Sequence, residues 1–241
     1  MASAEPFFIS AEIIMKKTIL FDLDGTLIDS TSAILKGFDV AFLAHDNKEP
    51  DHDVLKSLVG YPLEIMFEKL GAKKNLIDEY VKEYKACYEK IYLDETVLLP
   101  HAMDALKKAS TFADVGVVTT KTSKFSIILL EHLGVMKFIK TVVGRDDVVN
   151  PKPDPEPINL ALRRLGKEKD NAFMVGDTIM DLKAAKTALI TGVGLTCGYG
   201  KESDLRQFSE HIFANPLEAV SFIKDCLLYT SPSPRDRTRS R

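Results

Sequence analysis

Short apolar runs recur along this chain, each followed by a polar or glycine-bearing stretch and then by apolar residues at helical spacing. The runs at 18–21, 114–119, 141–143, 172–175 and 190–193, with a weaker one at 211–213, are short and carry Val, Ile, Thr and Phe, so they predict buried strands. Between them, 123–133, 156–165, 179–188 and 216–227 show the apolar spacing of helices. This alternation implies an α/β fold: a doubly wound, mostly parallel sheet with a Rossmann-like core and helices on both faces.

The stretch 30–110 departs from the rhythm. Its apolar positions fall at Ile34, Phe38, Ala41 and Phe42, then Ile65, Phe67 and Leu70, then Ile77, Val81, Tyr84 and Tyr88, which reads as successive helices with no convincing strand. A helical insert after the first strand accounts for it, and 102–109 returns the chain to the sheet. The expected organisation is a core of 15–29 plus 102–227 with an insert of 30–101. Residues 1–14 precede Met15-Lys16-Lys17, a natural start, and are expected to be a dispensable extension. Residues 228–241 hold two prolines, four arginines and one aspartate with no apolar period after Tyr229. That suits a disordered tail, translated vector or adaptor sequence, or a basic arm.

Composition narrows the function classes. With 241 residues, 45% hydrophobic and 28% charged, the chain has ample material for a core, which excludes a disordered or disulfide-held miniprotein. The net charge of −3 becomes −6 without the basic tail, so no overall field draws the protein to nucleic acid or anionic lipid. Any affinity for phosphate must be local. Cys87, Cys197 and Cys226 are an odd number without C-x-x-C spacing, so a cytoplasmic, reducing compartment is expected. No apolar run approaches the roughly 20 residues that span a bilayer. Neither a nucleic-acid nor a membrane partner is expected, and the chain is expected to act as a monomer or homodimer.

Four segments at strand ends carry the chemistry. In Phe21-Asp22-Leu23-Asp24-Gly25-Thr26, the first strand turns into a loop where Asp22 and Asp24 can converge on a crevice. Two such carboxylates repel unless a cation lies between them, and Mg²⁺, with its preference for oxygen ligands, suits the place. The same string also reads as a solvated turn. Val118-Thr119-Thr120-Lys121 ends a strand in two hydroxyls before a helix N-terminus that favours an anion; Thr119 is either a phosphate contact or an ordinary residue near an N-cap. In Asn150-Pro151-Lys152-Pro153-Asp154-Pro155, prolines stiffen a loop that presents Lys152, unless it is a polyproline spacer with a solvated lysine. Lastly, Val175-Gly176-Asp177-Thr178-Ile179-Met180-Asp181 places Asp177 at a strand end, able to complete a metal site. Asp181 lies in the first helical turn, beside that site or simply as a helix cap.

In that chain order, D-x-D-G-T, an apolar strand ending in Thr, Lys in a Lys-Pro-x-Pro context and G-D-T-x-x-D resemble the haloacid dehalogenase-like hydrolase superfamily. The similarity covers about 16–224, and the insert looks like the family's helical cap. Asp22–Ser30, Gly60-Tyr61-Pro62-Leu63 and Gly176–Asp181 are most similar to the phosphoglycolate phosphatase-type branch. The resemblance implies that Asp22 is the nucleophile, forming an aspartyl-phosphate, and Asp24 the general acid and base. It makes Thr119, Thr120 and Lys152 phosphate holders. Asp22, the backbone carbonyl of Asp24, and Asp177 become ligands of Mg²⁺, with Asp181 behind them. Gly60 and Tyr61 become substrate contacts from the cap. Two positions depart from the family's pattern: relatives often have Asn where Thr120 stands and Gly where His101 stands.

The expected function is therefore a Mg²⁺-dependent phosphatase for a small phosphorylated metabolite, phosphoglycolate-like. An inorganic pyrophosphatase and a phosphosugar mutase or phosphatase share the same core, whereas a dehalogenase does not suit Asp24 and the second acidic pair. A phosphoacceptor signalling module also uses acidic residues, Thr and Lys on such a sheet, but it has no place for the helical insert. The five histidines lack metal spacing, and the glycines at 192, 194, 198 and 200 lack the G-x-G-x-x-G continuation of a dinucleotide site.

Overall fold

The structure is a computed structural model and describes residues 16–226, so the expected extension at 1–14 and tail at 228–241 lie outside the described residues. The chain runs β1 (Lys17–Phe21), β2 (Ile28–Asp29), α1 (Thr31–Asp46), α2 (His52–Ser57), α3 (Leu63–Lys69), α4 (Ile77–Ile91) and β3 (Val97–Leu98). It continues through α5 (Ala102–Ser110), β4 (Ala113–Val118), α6 (Ser123–His132), β5 (Thr141–Val143), α7 (Glu156–Leu165), β6 (Ala172–Gly176) and α8 (Ile179–Ala188). The last elements are β7 (Thr191–Leu195), α9 (Glu202–Leu205), β8 (Ile212–Phe213) and α10 (Pro216–Asp225).

Six strands form one sheet in the order β5-β4-β1-β6-β7-β8, and every pairing in it is parallel. Alternation along β1 explains the two layers: Ile19 and Phe21 join the core shared with α5, α6 and α10, while Leu20 packs with Ile158, Leu162 and Ala184 of α7 and α8. The direction of winding reverses between β1 and β6, and the loops leaving these neighbouring strands border a crevice at their carboxyl ends.

The insert is helical, with a correction at its margins. β2 and β3 pair antiparallel, Ile28 opposite Leu98 and Asp29 opposite Val97, where no strand was expected. Two-residue strands are too short to leave a periodic signal. Along α4, tyrosines at four-residue spacing form a ladder: Tyr84 stacks on Tyr88 and Tyr88 on Tyr92, both at 5.5 Å between centroids. Tyr92 then meets Phe125 of α6 edge-on at 5.2 Å, which joins the insert to the sheet layer. Phe38, Phe42, Phe67 and Tyr80 complete one aromatic core around α1, α3 and α4.

His101 occupies the left-handed region at φ 67°, just before α5, where a glycine is favoured. The His101→Gly variant is expected to keep or raise stability, by up to about 1 kcal/mol, in urea denaturation. A loss of stability would show that the imidazole makes contacts that outweigh its backbone strain.

Candidate active site

Asp22 leaves β1 directly. Its backbone N–H donates to Val175 O at 2.9 Å, which seats it at the reversal between β1 and β6, and its side chain is buried. Lys152 enters from the loop between β5 and α7. Its Nζ donates to Asp181 Oδ1 at 2.6 Å and Val118 O at 3.0 Å and lies 2.8 Å from Asp22 Oδ1, so three acceptors meet its three protons. Glu156 anchors the loop by accepting from Val149 N at 3.0 Å and Asn150 N at 2.8 Å. With Lys152 only 2% exposed, the spacer reading with a solvated lysine is corrected: the prolines lead the ammonium inward.

Asp177 follows β6 and accepts from Thr26 Oγ1 at 2.7 Å on Oδ1 and from Tyr199 N at 2.9 Å on Oδ2. Gly25 makes this approach possible: at φ 81°, a Cβ there would run into the Asp177 carboxylate and the Tyr199 ring. Asp181 serves both roles that its position allows. Oδ2 accepts from Thr178 N at 3.0 Å and Thr178 Oγ1 at 2.8 Å, capping α8, while Oδ1 takes Lys152.

Asp22, Asp177 and Asp181 each bring an oxygen within 4.8 Å of the others, all buried. One ammonium opposes three carboxylates. Burial, and then the Asp181 charge, hold the Asp22 carboxyl well above its ordinary value despite Lys152. The same two causes push Asp177 up to about 7. For Lys152, burial works against the ammonium, but Asp181 and Asp22 prevail and raise its pKa. The donor set is hard, anionic and short of positive charge, which fits a divalent cation with oxygen ligands.

Asp24 is turned away from this cluster. Its Oδ1 accepts from Ser30 Oγ and lies 3.3 Å from Nζ of the half-buried Lys121, so what Asp24 can offer a cation near Asp22 is its backbone carbonyl. Lys121 also donates to Tyr88 OH at 2.6 Å, tying the insert to the loop after β4. Thr119 is buried, and its Oγ1 accepts from Lys121 N at 3.1 Å while its own proton stays free to donate. Thr119 stands three residues before Thr122, the N-cap of α6. Thr120, Gly60 and Tyr61 line a cavity of about 100 Å³ together with Asp24. At Gly60, φ 103°, a Cβ would approach Thr178 Cγ2 to 3.1 Å, so the insert touches the Gly-Asp-Thr loop there.

Five neighbours of the site escaped the sequence reading: Thr26, Ser30, Tyr88, Lys121 and Tyr199. Thr26, Ser30 and Lys121 lie inside strings quoted above, so their position is a usable signal. Tyr199 sits between Gly198 and Gly200, which read as an ordinary loop, and only the fold brings its amide to Asp177.

A profile of the haloacid dehalogenase-like hydrolases matches residues 19–195. The chain belongs to that family. It is 32% identical over 205 residues to a phosphoglycolate phosphatase of Salmonella typhimurium, covering 75% of this chain and 81% of that protein. It is 40% identical over 176 residues to the pyrophosphatase PpaX of Bacillus velezensis, covering 70% and 78%. The fold superposes on a haloacid dehalogenase-like hydrolase from Streptococcus pneumoniae with a TM-score of 0.78 at 28% identity, over 86% of this chain and 98% of that one. The chain is accordingly an enzyme of the phosphatase kind, within the phosphoglycolate phosphatase-type branch. Among the described residues, no helix is long and apolar enough to cross a membrane.

Proposed function

We propose that this enzyme hydrolyses a small phosphorylated metabolite, phosphoglycolate-like, by transferring the phosphoryl group to Asp22 and then to water. The observation that carries the reading is the buried set of Asp22, Asp177 and Asp181 around Lys152 at the carboxyl ends of β1 and β6. Asp22, Asp177 and the backbone carbonyl of Asp24 would hold Mg²⁺, which when bound supplies charge neutralisation for an anion meeting a carboxylate.

In the first step an Asp22 oxygen forms the new bond to phosphorus as the bond to the leaving-group oxygen breaks, and Asp24 gives that oxygen a proton. Lys152 neutralises Asp22 enough for it to approach an anion, and Thr119 donates to a phosphate oxygen, with Thr120 beside it. In the second step Asp24 takes a proton from water, the water oxygen bonds to phosphorus, and the bond to Asp22 breaks to release phosphate. Ser30 and Lys121 hold Asp24 on one oxygen, which leaves the other for proton transfer. The helices α1–α4 act as a cap over this centre, with Gly60 and Tyr61 facing the substrate.

Phosphate release from phosphoglycolate, sugar phosphates, para-nitrophenyl phosphate and pyrophosphate, with and without Mg²⁺, tests the reading. Turnover that needs Mg²⁺ and stops with chelator is expected. A long-lived phosphoprotein without turnover would instead make the chain a signalling module. The likeness to PpaX favours pyrophosphate as a second reading, and a preference for it over every monoester would establish that one.

A further inference from the structure

We propose that Arg145 and Thr122 form a subsite, in the cavity beside Asp24, for an anionic group carried on the leaving-group side of the substrate. This deepens the phosphatase reading above and rests on it.

Arg145 stands at the end of β5, and its backbone N–H donates to Lys121 O at 2.9 Å, which ties it to the loop that carries Lys121. Its guanidinium is only partly used: Nη1 donates to Val148 O at 3.0 Å, while Nε is buried with no partner among the described residues. The acids next to it in sequence are occupied elsewhere. Asp146 accepts from Ser123 N and Oγ at 2.6 and 2.9 Å, and Asp147 accepts from Gly144 N and pairs with Arg164 at 2.6 Å. Thr122 is similar, for its Oγ1 is buried with no partner although it stands at the N-cap of α6.

Buried polar atoms are almost always satisfied, and two that have no partner among the described residues lie just behind the surface of one cavity, on the lining residues Arg145 and Thr122, with Asp24 on the same cavity. Lys121 is already engaged by Asp24 and Tyr88, so Arg145 is the cation that the sheet side of the cavity leaves to meet a ligand. Glu64 and Lys85 of the insert also line the cavity, one of each sign. Ile34, Phe38, Met66 and Phe125 make the rest apolar. A small leaving group with a carbon body and a charged tip matches both parts. The tip is a carboxylate or a phosphate, since a guanidinium and a hydroxyl donate charge-assisted hydrogen bonds to the oxygens of either.

The test compares, in one preparation of the full-length enzyme with Mg²⁺, phosphoglycolate and its neutral analogue 2-hydroxyethyl phosphate. The ratio of their kcat/KM values cancels any misfolded fraction. Wild type is expected to favour the anionic ester by about tenfold or more, Arg145→Met to lose most of that preference, and Arg145→Lys to keep part of it. Pyrophosphate, assayed beside them, identifies the tip: a larger loss on phosphoglycolate assigns a carboxylate, and a larger loss on pyrophosphate assigns a phosphate. Turnover of both esters without preference, or a preference that survives Arg145→Met, overturns the subsite alone. Failure of wild type to release phosphate from any of the three overturns the phosphatase reading, and this one with it.

Discussion

Replacing Asp22 by Asn is expected to slow phosphate release by about 10⁴-fold or more while the protein melts no earlier than wild type in metal-free buffer. The rate falls because an amide oxygen lacks the charge to attack phosphorus, and among the described residues no other group on Lys152 is placed to take over. Asp181, the other carboxylate on that ammonium, has both oxygens committed to Lys152 and Thr178. Stability holds for an electrostatic reason. Burial and the neighbouring Asp181 already disfavour the ionised Asp22, so the neutral amide removes a repulsion and keeps an oxygen for Lys152 to donate to. The same substitution weakens the cation site, so added Mg²⁺ should raise the melting temperature of wild type more than that of the variant. Retained turnover would remove Asp22 as the nucleophile. A melting temperature several degrees lower would overturn the account of crowded carboxylates.

Periodicity made the sheet legible because a strand buried on both faces needs an unbroken apolar run, and 19–21, 115–118 and 172–175 provide one each. The six strand expectations match β1 and β4–β8 to within two residues at either end. By contrast, β2 and β3 owe their pairing to the chain entering and leaving the insert side by side, which is a tertiary cause that no local window contains. Alternation also says nothing about strand order, and it is the order that sets Asp22 beside Asp177.

Within the site, residues at strand ends were readable because a carboxylate after an apolar run has to emerge at the crevice. The partners of Asp24 were not. Lys121 follows two threonines whose hydroxyls carry the signal of that segment, and Ser30 closes the Asp22–Ser30 string with nothing in the sequence that points to the Asp24 side chain. Their roles depend on how Tyr88 of α4 comes down over the loop after β4, a packing contact between segments far apart in sequence. Thr122 and Arg145 were silent for a related reason: a missing hydrogen bond is visible only once the surroundings are in place.

Lys152→Met is expected to lower both activity and stability, and a second substitution separates the two losses. Methionine matches the aliphatic stem of the buried lysine, so the change is chiefly one of charge. It leaves Asp22 and Asp181 beside each other in the interior with no ammonium and strips Val118 O of its donor. Removing one member of a buried ion pair costs about 3–5 kcal/mol, a fall of roughly 6–20 °C in melting temperature for a chain of this size. Adding Asp181→Asn removes one of the stranded charges and should restore much of that stability, since the amide oxygen can still accept from Thr178 N. Activity should not return, because Asp22 still lacks the cation that lets it meet a phosphate. The pH dependence has a definite sign. Asp22 already takes up a proton more readily in the folded chain than its ordinary value implies, and without Lys152 nothing opposes that tendency. A carboxyl raised in the folded state penalises folding fully above its folded value, and the penalty fades as pH falls toward the unfolded value near about 4. The stability gap between Lys152→Met and wild type, measured by denaturant unfolding, should therefore narrow from pH 7 to pH 5. A gap that stays constant, or a double variant no more stable than the single one, would mean that the lysine contributes packing rather than charge.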